Sequence, residues 1–122
     1  MTARVLIAED DPDIAGMVRD TLVERLGVAA ETVANGALVL AAVQRLRPAV
    51  LLLDVELPGL NGVDVFEMLS WEPGSATRVL FVTGRPDLAG RALGGAEVMT
   101  KPFDLDVLVA RVAVLCGAEA PA

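Results

Sequence analysis

Four short segments of this chain end in residues that together can accept a phosphoryl group: Glu9 with Asp10, Asp54, Thr83, and Lys101 with Pro102. The first three follow apolar runs, Val5–Ala8, Val50–Leu53 and Val79–Val82, and the fourth follows a weaker one. Short continuous apolar runs suit parallel strands covered on both faces, so all four sets fall at one edge of a sheet. In open α/β sheets that edge is where ligands bind. Glu9, Asp10 and Asp54 would bring three carboxylates together, which like-charge repulsion opposes unless a cation sits among them. Mg²⁺ suits such a set, because it takes one or two carboxylates together with waters and phosphate oxygens. An aspartate can also attack phosphorus and carry an aspartyl-phosphate. Beyond that, phosphoryl transfer needs in-line positioning and neutralised oxygens. Lys101 can supply a point charge and Thr83 a hydroxyl. The backbone N–H groups of Glu56 and Gly84 are placed to cover what remains.

The elements that must position these residues alternate along the chain. Weaker strands are expected at Val28–Val33 and Ala96–Met99. Ile14, Met17, Val18, Leu22 and Leu26 have helical spacing, opened by Asp11-Pro12-Asp13 and closed by Gly27. Leu105, Leu108, Val109, Val112 and Leu115 repeat that pattern between Asp104 and Gly117. Leu38–Leu46 and Val63–Leu69 fill two further gaps, and Asp87–Leu93 offers a short fourth helix. Five strands alternating with five helices mean a parallel sheet with right-handed crossovers. Pro58, Gly59, Asn61 and Gly62 read as loop-shaping residues, and Asn35-Gly36 as a turn. Lys101-Pro102 leaves the peptide isomer open. Trp71 and Cys116 read as packing residues.

Composition narrows the function. The 122 residues support one domain, expected over residues 1–117, with 118–122 as a disordered tail or linker stub and no room for a separate effector domain. Apolar residues make up 54 %, yet the longest uninterrupted run is Ala37–Val43, far short of the roughly 20 residues a bilayer span needs. The chain start carries no signal pattern, so a cytoplasmic protein without membrane insertion is expected. With no histidine and one cysteine, ordinary zinc sites are excluded, and any metal must be a hard, oxygen-liganded cation. The net charge of −7 leads us to expect no direct nucleic-acid partner, since phosphate binding needs a basic face.

Four motifs in order, LIAEDDPDI over 6–14, LLLDVELPGLNG over 51–62, Val82-Thr83-Gly84 and Thr100-Lys101-Pro102-Phe103, resemble the receiver domain of bacterial two-component response regulators. The likeness runs from about Arg4 to Leu115. It implies a doubly wound, flavodoxin-like fold with strand order 2-1-3-4-5. It also implies a phosphorelay switch rather than an enzyme, in which Asp54 takes a phosphoryl group from a histidine kinase or a histidine phosphotransfer protein and output follows by protein–protein interaction with an unknown downstream target. On this resemblance Asp10 and Asp54 hold Mg²⁺, Glu9 ligates it directly or through water, and Glu56 offers its backbone carbonyl. Thr83 then corresponds to the switch hydroxyl and Lys101 to the phosphate-binding lysine.

Other classes fit less well. An aspartyl-nucleophile hydrolase favours Asp-x-Asp, where this chain has Asp54-Val55-Glu56. A flavin carrier lacks its Ser/Thr-rich phosphate loop here, and a receiver-fold adaptor that is never phosphorylated would have no use for the intact residues. Two features set the chain apart from the resemblance. Val98 stands where receivers carry Tyr or Phe, and the segment from Thr83 to Lys101 is shorter than the family norm, so output by loop ordering or through another partner face is expected. Glu56 and Arg85 are expected to meet over the phosphoryl group and slow self-dephosphorylation.

Overall fold

Three runs of four apolar residues become the three inner strands of one sheet. A computed structural model describes residues 3–70, 76–85, 87 and 96–117. The strands are β1 (Arg4–Ala8), β2 (Ala29–Val33), β3 (Val50–Leu53), β4 (Arg78–Thr83) and β5 (Glu97–Thr100), all parallel, in the order β2-β1-β3-β4-β5. Every residue of β3 is buried, as are the last four of β1 and of β4. The edge strands β2 and β5 contain no fully buried residue. This is why their patterns are weak in sequence, and β5 begins and ends one residue later than the pattern suggests.

Around the sheet lie α1 (Pro12–Leu26), a 3₁₀ turn (Gly36–Leu38) leading into α2 (Val39–Leu46), α3 (Gly62–Ser70) and α4 (Leu105–Leu115). Alternate residues of the inner strands divide the core in two. Leu6, Ala8, Leu51, Leu53 and Phe81 pack with α2 and α3, whereas Val5, Ile7, Leu52, Leu80 and Val82 pack with α1 and α4. Both outer helices are capped as their sequences suggest. Asp11 accepts from the N–H groups of Asp13 and Ile14 at 2.9 and 3.3 Å, and Asp104 accepts from those of Asp106 and Val107 at 2.7 and 3.3 Å. Gly27 closes α1 with φ of 67°. The buried stripe of α1 is Ala15, Val18 and Leu22, and Met17, expected on that stripe, is 45 % exposed. Met17 lies about 100° around the helix from Val18, off the centre of that stripe. The expected short helix over residues 87–93 lies, apart from Asp87, outside the described residues, as do Trp71 and the tail 118–122. No helix among the described residues is long and apolar enough to cross a membrane.

Candidate phosphoryl-acceptor site

After β1, β3 and β5 the ladder makes one last backbone hydrogen bond just where a functional side chain begins. Glu9 N–H donates to Val33 O at 3.0 Å, Asp54 N–H to Ala8 O at 3.2 Å, and Lys101 N–H to Thr83 O at 2.9 Å. The sheet itself therefore fixes the origins of Glu9, Asp54 and Lys101, and Thr83 sits in register with Thr100. Glu9 and Asp54 are each 6 % exposed and Thr83 is fully buried, while Asp10 is exposed.

Buried carboxylates require partners. Lys101 supplies one for both, its Nζ donating to Glu9 Oε1 at 2.5 Å and to Asp54 Oδ2 at 2.8 Å. The other oxygens are met by backbone: Asp11 N–H donates to Glu9 Oε2 at 3.1 Å and Glu56 N–H to Asp54 Oδ1 at 3.0 Å. Thr83 Oγ1 accepts from Arg85 N–H at 3.0 Å. Burial pushes the Glu9 carboxyl above its usual range, with Lys101 pulling the other way. For Lys101, burial opposes the charge, but the bonds to Asp54 and Glu9 outweigh it and raise the ammonium above its ordinary value. An apolar hollow bordered by Ile14, Val82, Phe103 and Leu108 underlies the two carboxylates. The Lys101–Pro102 peptide is cis.

The raised Glu9 carboxyl makes a stability prediction. The folded state holds the Glu9 proton more tightly than the unfolded chain, so the protonated form favours folding below the ordinary value of 4.5, and that advantage is lost as pH rises through the folded value. At pH 7 and without divalent metal, Glu9→Gln is expected to raise Tm in thermal melts, because the variant side chain carries no charge to bury. The gain over wild type should shrink in melts below pH 4.5. A lower Tm for the variant at pH 7 would show that the Lys101 pair outweighs the burial cost.

One carboxylate oxygen from each of Glu9, Asp10 and Asp54 lies within 4.8 Å of the others. Three hard anionic donors at a strand edge fit Mg²⁺, and they leave the soft and nitrogen-preferring metals without suitable ligands. Asp54, the cationic Lys101 and the buried Thr83 hydroxyl thus share one edge of the sheet with the carboxylate cluster. A family model described as the response regulator receiver domain matches residues 5–113. The chain belongs to that family.

Relatives of this receiver include the DNA-binding response regulator MtrA of Mycolicibacterium smegmatis, 37 % identical over an alignment 117 residues long, with 92 % of this chain and 50 % of MtrA covered. The transcriptional regulatory protein TcrA of Mycobacterium tuberculosis is 36 % identical over 120 residues, covering 92 % of this chain and 45 % of TcrA. The receiver thus spans about half the length of the curated relatives it matches. Among solved structures, the signal receiver domain of a Luxo repressor protein from Vibrio parahaemolyticus superposes with a TM-score of 0.86 at 27 % identity, covering 97 % of this chain and 92 % of the other. A BeF3-activated DrrB receiver domain gives 0.79 at 26 % identity, covering 96 % and 99 %.

The relatives correct one expectation. Absence of a nucleic-acid partner was inferred from the charge of −7, yet proteins that share this receiver are DNA-binding regulators. Net charge describes the surface of these 122 residues only, and the matched segment is half of those proteins.

The Arg85 guanidinium bonds to both carboxylate oxygens of Asp87 at 3.2 Å, which raises it above its usual range, and Glu56 acts on it at longer reach through charge. A meeting of Arg85 with Glu56 therefore requires Arg85 to leave Asp87. Val98 is half-buried on β5, in register with Phe81 and packed on the core that Phe81 fills.

Proposed function

We propose that this receiver is a Mg²⁺-dependent phospho-switch in which Asp54 accepts a phosphoryl group from the phosphohistidine of a histidine kinase or phosphotransfer protein. The observation that carries the reading is Lys101 Nζ bridging Asp54 and Glu9 inside a three-carboxylate cluster at the sheet edge. A side chain held by two buried carboxylates at once is already where it can follow charge from Asp54 onto an attached phosphoryl oxygen.

In the transfer, the P–N bond to the donor imidazole breaks as an Asp54 Oδ–P bond forms, and the imidazole leaves. Mg²⁺, held by Asp10 and Asp54 with Glu9 ligating directly or through water and the Glu56 carbonyl completing the protein ligands, would neutralise charge on the transferring oxygens. Lys101 exchanges its contact with Asp54 for one to the phosphoryl group. The backbone N–H of Glu56, which now donates to Asp54, turns its donation to a phosphoryl oxygen together with that of Gly84. Thr83 is the hydroxyl that reads the modification, donating to phosphate in place of accepting from Arg85. Hydrolysis by water returns the free carboxylate slowly, so the domain, residues 1–117, acts as a switch and not as a turnover enzyme. Its setting is the cytoplasm. Because the relatives are transcriptional and DNA-binding regulators, we place its output at transcription, through a DNA-contacting surface other than this acidic one. With Val98 in β5, that output runs through loop ordering or a different partner face.

Incubation with acetyl phosphate tests the reading. Intact mass should rise by one phosphoryl group with Mg²⁺ present and stay unchanged in chelator. No gain under either condition would leave a receiver fold used only as an adaptor.

Phosphoryl lifetime carries a separate expectation. If Arg85 swings from Asp87 toward Glu56 and covers the phosphorus, Arg85→Ala should speed decay of the phosphoprotein severalfold, about 3- to 10-fold, as followed by loss of the added mass. Equal decay rates for variant and wild type would remove Arg85 from this role.

A further inference from the structure

The loop from Asp54 to Asn61 carries Glu56, and glycine contacts grip it at both ends. A methyl group added at Gly36 would stand 1.8 Å from the Leu60 carbonyl oxygen and 2.7 Å from its carbon. The Gly36 N–H donates to Pro58 O at 2.8 Å. One residue on, Gly59 has φ of 85°, and a methyl there would stand 2.1 Å from Asn35 Oδ1, the same oxygen that accepts from Ala37 N–H at 2.7 Å. At the far end, Gly62 N–H donates to Val55 O at 2.8 Å, and a methyl on Gly62 would stand 2.3 Å from the carbonyl oxygen of Asp54 itself.

Gly36 does not have a left-handed φ, so conformational freedom does not account for a glycine there. Closeness of two backbones does. The turn after β2 and the loop after β3 touch main chain to main chain, and no larger residue fits between them.

We infer that the Asn35–Gly36 turn is a positioning element of the phosphoryl-accepting site, setting the height of the 54–61 loop and with it the backbone N–H and carbonyl of Glu56. The inference rests on the assignment of Asp54 as the acceptor. Real Cβ contacts essentially never fall under 3.0 Å, so a methyl at Gly36 must separate the two backbones by at least about 1.2 Å. Both sides are anchored in one core, the turn through Val39, Ala42 and Val43 of α2 and the loop through Val55 and Leu57, so the displacement is shared and part of it reaches the loop. Misplacement by about 1 Å at a reacting centre can cost up to ~10²-fold in rate. Neither Asn35 nor Gly36 touches the acceptor oxygens, so both act through the loop.

Gly36→Ala should weaken Mg²⁺ binding and slow phosphorylation by acetyl phosphate at saturating Mg²⁺ by about tenfold or more, in protein that remains folded by circular dichroism. The Glu56 amide resonance, which reports the bond to Asp54 without any metal, should shift in the same variant. Asn35→Ala, which removes the side-chain oxygen without a clash, should weaken Mg²⁺ binding about threefold, and Asn35→Ser, which keeps an acceptor for the Ala37 N–H, should restore it. A folded Gly36→Ala protein with wild-type Mg²⁺ affinity and an unmoved Glu56 amide overturns the inference. If Gly36→Ala does not fold, the Asn35 pair decides, and wild-type behaviour of Asn35→Ala overturns it. Wild-type protein that binds no Mg²⁺ refutes the acceptor assignment instead, and the Glu56 resonance in the variants still decides whether the turn sets the loop.

Discussion

Replacing Asp54 with alanine or asparagine is expected to lower metal-dependent phosphorylation by at least about 10³-fold, because the oxygen that forms the bond to phosphorus is removed. Asparagine is the more informative change. It keeps the shape of the side chain and an acceptor for the Glu56 N–H, which now lies 3.0 Å from Asp54 Oδ1. It also removes one of the two carboxylates that hold Lys101, leaving Glu9 as the sole anionic partner among the described ion pairs of that lysine. Folding should therefore survive while acceptance is lost. Phosphorylation of the asparagine variant at more than a few per cent of the wild-type rate would place the acceptor elsewhere, and the first alternative to examine would be Asp10.

The second large effect concerns the core. Phe81→Ala is expected to cost ~3–5 kcal/mol, since a buried aromatic is removed and the cavity cannot fully close. Phe81 is fully buried, sits between Leu53 and Val98 in the sheet register, and meets Phe66 of α3 with ring centroids 5.5 Å apart at 60°. Tilted aromatic pairs of that kind add to the simple burial gain. Domains have net stabilities of about 5–15 kcal/mol, so the variant should lose a large share of its stability, with Tm lower by roughly 10–20 °C. Thermal unfolding followed by circular dichroism measures this. A drop of less than about 3 °C would mean that Val98 and neighbouring side chains refill the space, and that the α3 side of the core is more plastic than its packing indicates.

Why some of this was legible in the amino-acid sequence and some was not follows from coverage and distance. β1, β3 and β4 are covered on both faces, so their patterns are continuous and their ends carry Glu9, Asp54 and Thr83 to one edge. β2 and β5 are half-exposed, so their patterns are diluted and β5 is offset by one residue. The stripe of α1 shows the limit of periodicity: Met17 is apolar at helical spacing, yet the sheet accepts Ala15, Val18 and Leu22. Types and order were enough to suggest the acidic cluster and its lysine. They could not say that one lysine would divide itself between Glu9 and Asp54, because residues 9, 54 and 101 meet only through the sheet register. Asn35-Gly36 read as an ordinary turn for the same reason. Its distinctive property is an approach to Leu60 and Gly59, far along the chain. Nothing in the sequence separates it from turns whose glycine needs a left-handed backbone, and only the observed φ of Gly36 points to crowding. Partners lay further out of reach, since the acidity of one surface carries no information about a DNA-binding surface elsewhere.

The central claim is that Asp54, and no other of the clustered carboxylates, carries the phosphoryl group. Borohydride trapping tests it most directly, because an acyl phosphate is reduced at its carbonyl carbon while ordinary carboxylates are untouched. Protein phosphorylated with acetyl phosphate and Mg²⁺, reduced and digested, should show the altered mass in the peptide spanning Leu51–Gly62 and at residue 54 alone. Modification at Asp10 or Glu9, or none in protein that has gained phosphoryl mass, would contradict the account.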